Sequence, residues 1–300
     1  MMWNGPMAMR LRPGILLALL AGPVGAEPAA DCAGLVGLVE AATGSSLTAP
    51  PAAMDGGWCV LDGARSAGEG AVRVAVERLR IRGETAGDTL LALEIMAEGV
   101  RVTPALTERD MAGWLRDLLR MQTASVHLAL RRDEAGDRLL VETGRLGLSG
   151  GSELVLTAEI AGAGLSAASL LAGRVTDLHL EWKNDGRTLR PVMEAMGAGL
   201  EPGATGTQAV LASRAALTAG IAALPGGSLP DDAAEALAGF VAALPQGRGR
   251  LVLDLGAEPG IGAVELGLLA LAEDPMAPEA LARLFRGVQV GAGWTPGMAP

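Results

Sequence analysis

Leu178-His179-Leu180-Glu181-Trp182-Lys183-Asn184-Asp185-Gly186 decides the architecture. Leu178, Leu180 and Trp182 alternate with charged residues, the two-residue period of a half-buried strand, and Lys183 to Gly186 ends the run as a turn. Upstream, Leu154, Leu156, Ala158 and Ile160 repeat the pattern, separated from Leu146 and Leu148 by the turn Ser149-Gly150-Gly151-Ser152. Before them come Val126, Leu128 and Leu130, then Leu91, Leu93 and Ile95, then Val72, Val74 and Val76. Leu79 and Ile81 have the opposite parity. A bulge near Glu77-Arg78 would restore a common apolar face, and a similar switch falls near Glu98-Gly99. Connections this short favour antiparallel neighbours and a meander.

The period becomes helical on either side of this run. Residues 33–43 read as a short helix ended by Gly44, and Trp58 to Leu61 as a strand. Met111, Trp114, Leu115, Leu118 and Leu119 make an apolar face on a helix at 107–121. Beyond Gly186, helices are expected on Leu189 to Met196, on Val210 to Leu224, and from Ser228 and Asp231 to Leu244. A strand returns at Arg250 to Leu255. Residues 262–272 fit strand or helix equally. Asp274-Pro275 would open a last helix, and Val288 and Val290 a short final strand. The expected fold class is α+β: a mostly antiparallel meander of roughly seven to nine strands, with helices on one face and a helical C-terminal half. The expected divisions are 1–26, 27–66, 67–186 and 187–300, the last continuous with the sheet.

The N-terminus reads as a secretory signal. Arg10 and Arg12 precede the apolar run Ile15 to Leu20, and Val24 and Ala26 are small where signal peptidase cuts. The apolar run is too short to span a bilayer. Cleavage after about Ala26 would leave 22 basic against 34 acidic side chains, net −12. Such a chain is expected in a periplasm, where Cys32 and Cys59 would form a disulfide.

The whole chain has 300 residues, 50% hydrophobic and 19% charged, with net charge −10. That is too apolar for disorder and too acidic for a nucleic-acid binder. Among the basic residues there is a single Lys, Lys183, and there is no Tyr. The bias fits a GC-rich genome.

Chemistry-bearing motifs are few. Gly147-Leu148-Ser149-Gly150-Gly151 matches G-x-S-x-G, but a nucleophile elbow needs a helix after the turn, and Glu153 to Leu156 alternates like a strand. His127 and His179 take the polar parity of strands about three apart, roughly 14 Å, too far to share a metal. Neither metal-binding nor nucleotide-binding spacings occur, so no metal and no cofactor are expected. Glu153 with Glu159, or Asp177 with Glu181, could pair as carboxylates for glycoside chemistry. Arg78, Arg80 and Arg82 make a basic stripe that could meet an anionic group or simply guard an edge. No catalytic residue is assigned.

The signal, Cys32 with Gly57-Trp58-Cys59, the alternating strands through Gly186, Leu251 to Gly256 and the Asp274-Pro275 helix together resemble exported alphaproteobacterial envelope proteins with the repeated-strand, groove-forming segments of AsmA-type proteins. The resemblance covers the layout of residues 58–292 and carries no catalytic motif. It implies a non-enzymatic envelope protein. AsmA-type proteins are usually much longer and membrane-anchored, whereas no later segment of this chain is apolar enough to span. An apolar groove would be lined by Leu91, Leu93, Leu128, Leu154, Leu156, Leu178 and Leu180 and would take a lipid-like or peptide ligand. The same residues could instead be core. The other expectations are an interaction factor for another envelope protein without a small ligand, and a hydrolase using Ser149 or paired acids.

Overall fold

A computed structural model describes residues 32–43, 46–49, 52–67, 72–86, 89–104, 122–133, 135–265 and 278–297. The signal at 1–26, the 107–121 helix and the Asp274-Pro275 helix start lie outside these residues.

Eleven antiparallel strands form one sheet. They are β1 Ser46–Thr48, β2 Ala53–Asp55, β3 Trp58–Ala67, β4 Val72–Ala86, β5 Thr89–Pro104, β6 Ala124–Asp133, β7 Arg138–Leu148, β8 Glu153–Ala161, β9 Arg174–Asn184, β10 Gly249–Gly262 and β11 Val288–Pro296. From β3 to β11 each strand pairs with its neighbours in sequence, while β1 and β2 both pair with β3. Six helices are described: α1 Cys32–Thr43, α2 Ala167–Ala172, α3 Leu189–Leu200, α4 Gly206–Ala222, α5 Asp231–Ala243 and α6 Pro278–Leu284.

The expected fold class is corrected. Strands hold 50% of the described residues against 29% in helices, and the sheet has eleven strands rather than seven to nine with a helical C-terminal half. The added strands β1 and β2 are three residues each, too short to show alternation. β11 runs for nine residues, not the short piece at Val288 and Val290, because its centre, Gly291-Ala292-Gly293, is small and shows no apolar period. The Leu251, Leu253 and Leu255 positions of β10 meet Trp294, Ala292 and Val290 there.

Cross-strand partners share a face. One row runs Leu61, Leu79, Ala97, Val126, Leu146, Leu154, Trp182, Leu251, Trp294. The next runs Cys59, Ile81, Ile95, Leu128, Gly144, Leu156, Leu180, Leu253, Ala292. Both cross nine strands from β3 to β11, so a single apolar face spans the sheet.

The parity switch in β4 is shared by its neighbours. Leu61 and Ala64, Val76 and Leu79, and Ala97 and Val100 each take a three-residue step and pack in the same cluster. The β3–β4 and β4–β5 registers pass this level without slipping. Gly63 and Gly99 supply left-handed backbone there, at φ +69° and +62°. The slip appears only at the next boundary, between Ala97 and Val100 in β5–β6.

Three buried clusters hold the molecule. The first joins Leu35 of α1 to Cys59, Leu61, Leu79, Ile81, Leu93 and Ile95. The Cys32–Cys59 disulfide, with Cα atoms 5.0 Å apart, clips α1 to β3 beside it. The second joins Leu130, Leu139, Val141 and Ala158, with Leu170 of α2 against them. The third, Met193, Val210, Val241 and Leu244, holds α3, α4 and α5 together. α5 packs on β11, and its Phe240 meets Trp182 and Trp294 edge-on at 5.8 and 5.1 Å. Ser228 does not cap α5. Its hydroxyl donates to the Phe285 carbonyl at 3.2 Å, and Asp231 and Asp232 carry the favourable charge in the first turn.

Candidate functional site

The seven leucines expected to line a groove divide into four groups. Leu93 is buried in the first cluster. Leu128, Leu156 and Leu178 are partly buried against the second. Leu154 and Leu180 belong to none of the three described clusters and stay half-buried. Leu91 falls at the register slip between Glu84 and Thr85, opposite Leu90 and Ala92, and Leu90 packs into the first cluster in its place. Leu146, beside Leu154 in its row, is 38% exposed. Leu253, beside Leu180, is half-buried. The centre of the apolar face is therefore a strip of large aliphatic side chains that is only partly covered, between a buried patch at β3–β5 and the aromatic group under α5.

The opposite face is a lattice of cross-strand ion pairs. Arg78 meets Asp62 at 2.8 Å, Arg80 meets Glu98 at 2.9 Å, and Arg82 pairs with Glu94. The basic stripe is thus neutralised one residue at a time, and β4 is an interior strand rather than an edge. Arg82 also lies 4.5 Å over the Trp58 ring. Burial raises the Glu94 carboxyl, but hydrogen bonds from His127 and Arg82 outweigh it and hold the group below its usual range. Further along, Arg131 pairs with Glu142, Arg138 with Glu159, Arg145 with Glu153, and Arg250 with Glu181. Three of the four candidate carboxylates, Glu153, Glu159 and Glu181, are therefore held by arginines. Asp177 sits opposite Glu159 on the neighbouring strand.

Ser149 and His179 are not brought together. The Ser149 hydroxyl donates to Gln122 at 3.1 Å and accepts from the Thr123 N–H at 3.1 Å, which ties the β7–β8 turn to the start of β6. The His179 Nδ1 contacts Asp254 of β10 at 2.6 Å. His127 contacts Glu94 at 2.7 Å, and β7 and β8 lie between the two histidine strands. Among the described residues, no group of three His, Cys, Asp or Glu side chains could hold a metal.

The turn residue that does most structurally is Ser152, missed in the sequence because it lies outside the G-x-S-x-G string. It is 3% exposed. Its hydroxyl donates to Asp185 at 2.9 Å, shares a 2.9 Å hydrogen bond with Thr188, and accepts the Asp185 N–H at 3.2 Å. Burial raises the Asp185 carboxyl, yet the Arg187 N–H and the Ser152 and Thr188 hydroxyls together hold it below its usual range. This hub fixes the end of β9, where Lys183, Arg187, Arg248 and Arg250 gather around a cleft. Their spread over 67 positions hid the grouping in the sequence. The available signal was Lys183, the only lysine in the chain.

A scan against protein-family models and a search of curated proteins found no match. The molecule is a disulfide-clipped antiparallel sheet protein, and none of its described helices is long and apolar enough to cross a membrane.

Proposed function

We propose that this chain is an exported, periplasmic binding or scaffold protein of the cell envelope, non-enzymatic, which holds a lipid-like or peptide ligand along its sheet. The AsmA-type likeness belongs to the same reading. The observation that carries it is the partly covered strip at Leu146, Leu154, Leu180 and Leu253, in the middle of an apolar face, between the buried cluster at β3–β5 and the half-buried aromatic group under α5. Apolar surface of that kind gains free energy when covered, at about 25 cal/mol per Å². The disulfide supports export, since such bridges persist in oxidising compartments.

Native mass spectrometry of the chain secreted into a periplasm tests the reading in one experiment. The expected species lacks residues 1–26 and two hydrogens, and carries a lipid-mass or peptide adduct that leaves on activation. A bare mass at every activation energy overturns the carrier reading.

A second reading, an interaction factor in envelope assembly, has its own support. Val192 and Leu200 of α3 and Leu211 of α4 are 39%, 50% and 56% exposed on a helix pair. Exposed aliphatic groups on neighbouring elements suit a protein partner. A co-purifying envelope protein lost on Leu200→Glu with Leu211→Glu would support it.

A further inference from the structure

Much of the charge on the polar face is paired across strands, and one corner gathers four cations. β9, β10 and β11 end together there, with Asn184 opposite Gly249 and Gly249 opposite Pro296. An open cleft of about 560 Å³ lies at this end. Lys183, Arg187, Arg248 and Arg250 line it, against a single carboxylate, Asp185. That carboxylate is already committed: its Oδ1 accepts from the Ser152 hydroxyl at 2.9 Å and the Arg187 N–H at 3.0 Å.

The cations are not committed in the same way. The Arg187 guanidinium comes no nearer than 4.0 Å to Asp185. Arg248 uses its Nε on the Asp185 backbone carbonyl at 3.0 Å, which leaves its charge unpaired. Lys183 is exposed and makes no ion pair with a described residue. Only Arg250 has a carboxylate in contact, Glu181 at 2.5 Å.

The walls are tied together by hydrogen bonds. Asn184 is 4% exposed and donates to the Gly247 carbonyl at 2.6 Å, and the Gly297 N–H donates to the Arg248 carbonyl at 2.8 Å. In a chain of net charge −10, the corner concentrates positive potential on a hydrogen-bonded frame.

We propose that this cleft binds a phosphate group. Guanidinium forks match phosphate oxygens two at a time, and the ammonium of Lys183 adds a point charge. The cleft is also larger than one phosphate needs, which leaves room for the rest of a ligand. Free phosphate, a soluble phosphoester and a phospholipid headgroup share this chemistry. The headgroup source rests on the function proposed above. The Trp182–Leu251–Trp294 row lies two residues from the Asn184–Gly249–Pro296 level, on the face opposite Lys183 and Arg250, so a phospholipid on the apolar face would have to round the strand ends to reach the cleft.

Titration calorimetry of the full secreted chain with inorganic phosphate, in chloride buffer at low ionic strength, tests the site. One phosphate binds per chain, and raising the salt weakens it. The double variant K183Q/R248Q loses at least about tenfold in affinity, as removal of charge-assisted hydrogen bonds requires. R131Q, in a paired part of the lattice, binds as the parent does. Both substituted positions in the double variant are exposed, and an unchanged thermal midpoint verifies its fold. Absence of saturable phosphate binding, or binding retained in K183Q/R248Q, overturns the proposal.

Sedimentation with vesicles of phosphatidylcholine, alone or mixed with phosphatidylglycerol, separates the sources. Binding that needs phosphatidylglycerol and is lost in K183Q/R248Q assigns a headgroup. Phosphate binding without vesicle binding assigns a soluble phosphate compound. L154Q separates this site from the apolar strip: it keeps phosphate affinity even where an apolar adduct disappears.

Discussion

Asp185 ties three elements together through one carboxylate, and its titration should be visible in the stability of the whole chain. Its folded acid lies below the ordinary carboxyl range because hydroxyl and N–H donors outweigh the cost of burial. A depressed folded pKa contributes stability above the unfolded value, near 4. That contribution is lost as pH falls through the lower folded value. Asp185→Asn should therefore flatten the acid side of the stability profile, read as the urea midpoint between neutral pH and about pH 2. An unchanged slope would mean that the hub does not depend on the ionised form. The lattice arginines should behave differently. They are exposed pairs, worth about 0–1 kcal/mol each, so Arg131→Gln should shift the midpoint by little.

Helix packing depends on single small residues. A Cβ on Gly197 of α3 would lie 1.7 Å from the Ala209 carbonyl of α4. Gly197→Ala should push the pair apart and cost about 1–3 kcal/mol by overpacking. Gly199, two residues on, has open space around it. Gly199→Ala should instead stabilise by about 0.5–1 kcal/mol, the helix cost of glycine. Chemical denaturation of the two variants side by side separates packing from propensity. The α1–β3 junction has a different fastening. Its disulfide closes a separation of 27 residues, and the chain-entropy relation assigns such a loop about 3.5 kcal/mol. Cys32→Ala with Cys59→Ala should lower the unfolding free energy by roughly that amount. A drop below about 1 kcal/mol would show that the first cluster holds α1 without it.

Across the whole sheet, buried and half-buried stretches of the same rows should respond differently to truncation. Ile81 is fully buried, and Ile81→Ala should cost about 2–5 kcal/mol. Leu154 and Leu180 sit in the same two rows but are half-buried, so their alanine variants should cost clearly less in the ligand-free chain. Equal costs, measured by urea unfolding, would make the strip ordinary core and remove the basis for a ligand on the sheet.

The strands were legible because their signal is local. Leu154 to Ile160 and Leu178 to Trp182 alternate within one segment, and period two forces one face whatever lies opposite. The disulfide was legible too, since the chain has only two cysteines. β1, β2 and the Gly-Ala-Gly centre of β11 were not legible, because their strand character comes from hydrogen bonds to β3 and β10 rather than from side-chain period. The shared step at Leu61–Ala64, Val76–Leu79 and Ala97–Val100 was partly legible: the switches near Glu77-Arg78 and Glu98-Gly99 show in their own strands, but the one in β3 and the fact that three strands make it at one level show only in the pairing. The cleft was hidden for the same reason. Lys183, Arg187, Arg248 and Arg250 become one site only when β10 returns beside β9, and the neutralised stripe Arg78, Arg80, Arg82 looked the better anion site until β3 and β5 supplied its carboxylates. Sequence alone determined period, face and covalent pairing, which depend on near neighbours. Tertiary structure decided which charges are cancelled and which apolar residues stay open, because both depend on what the fold places across from them.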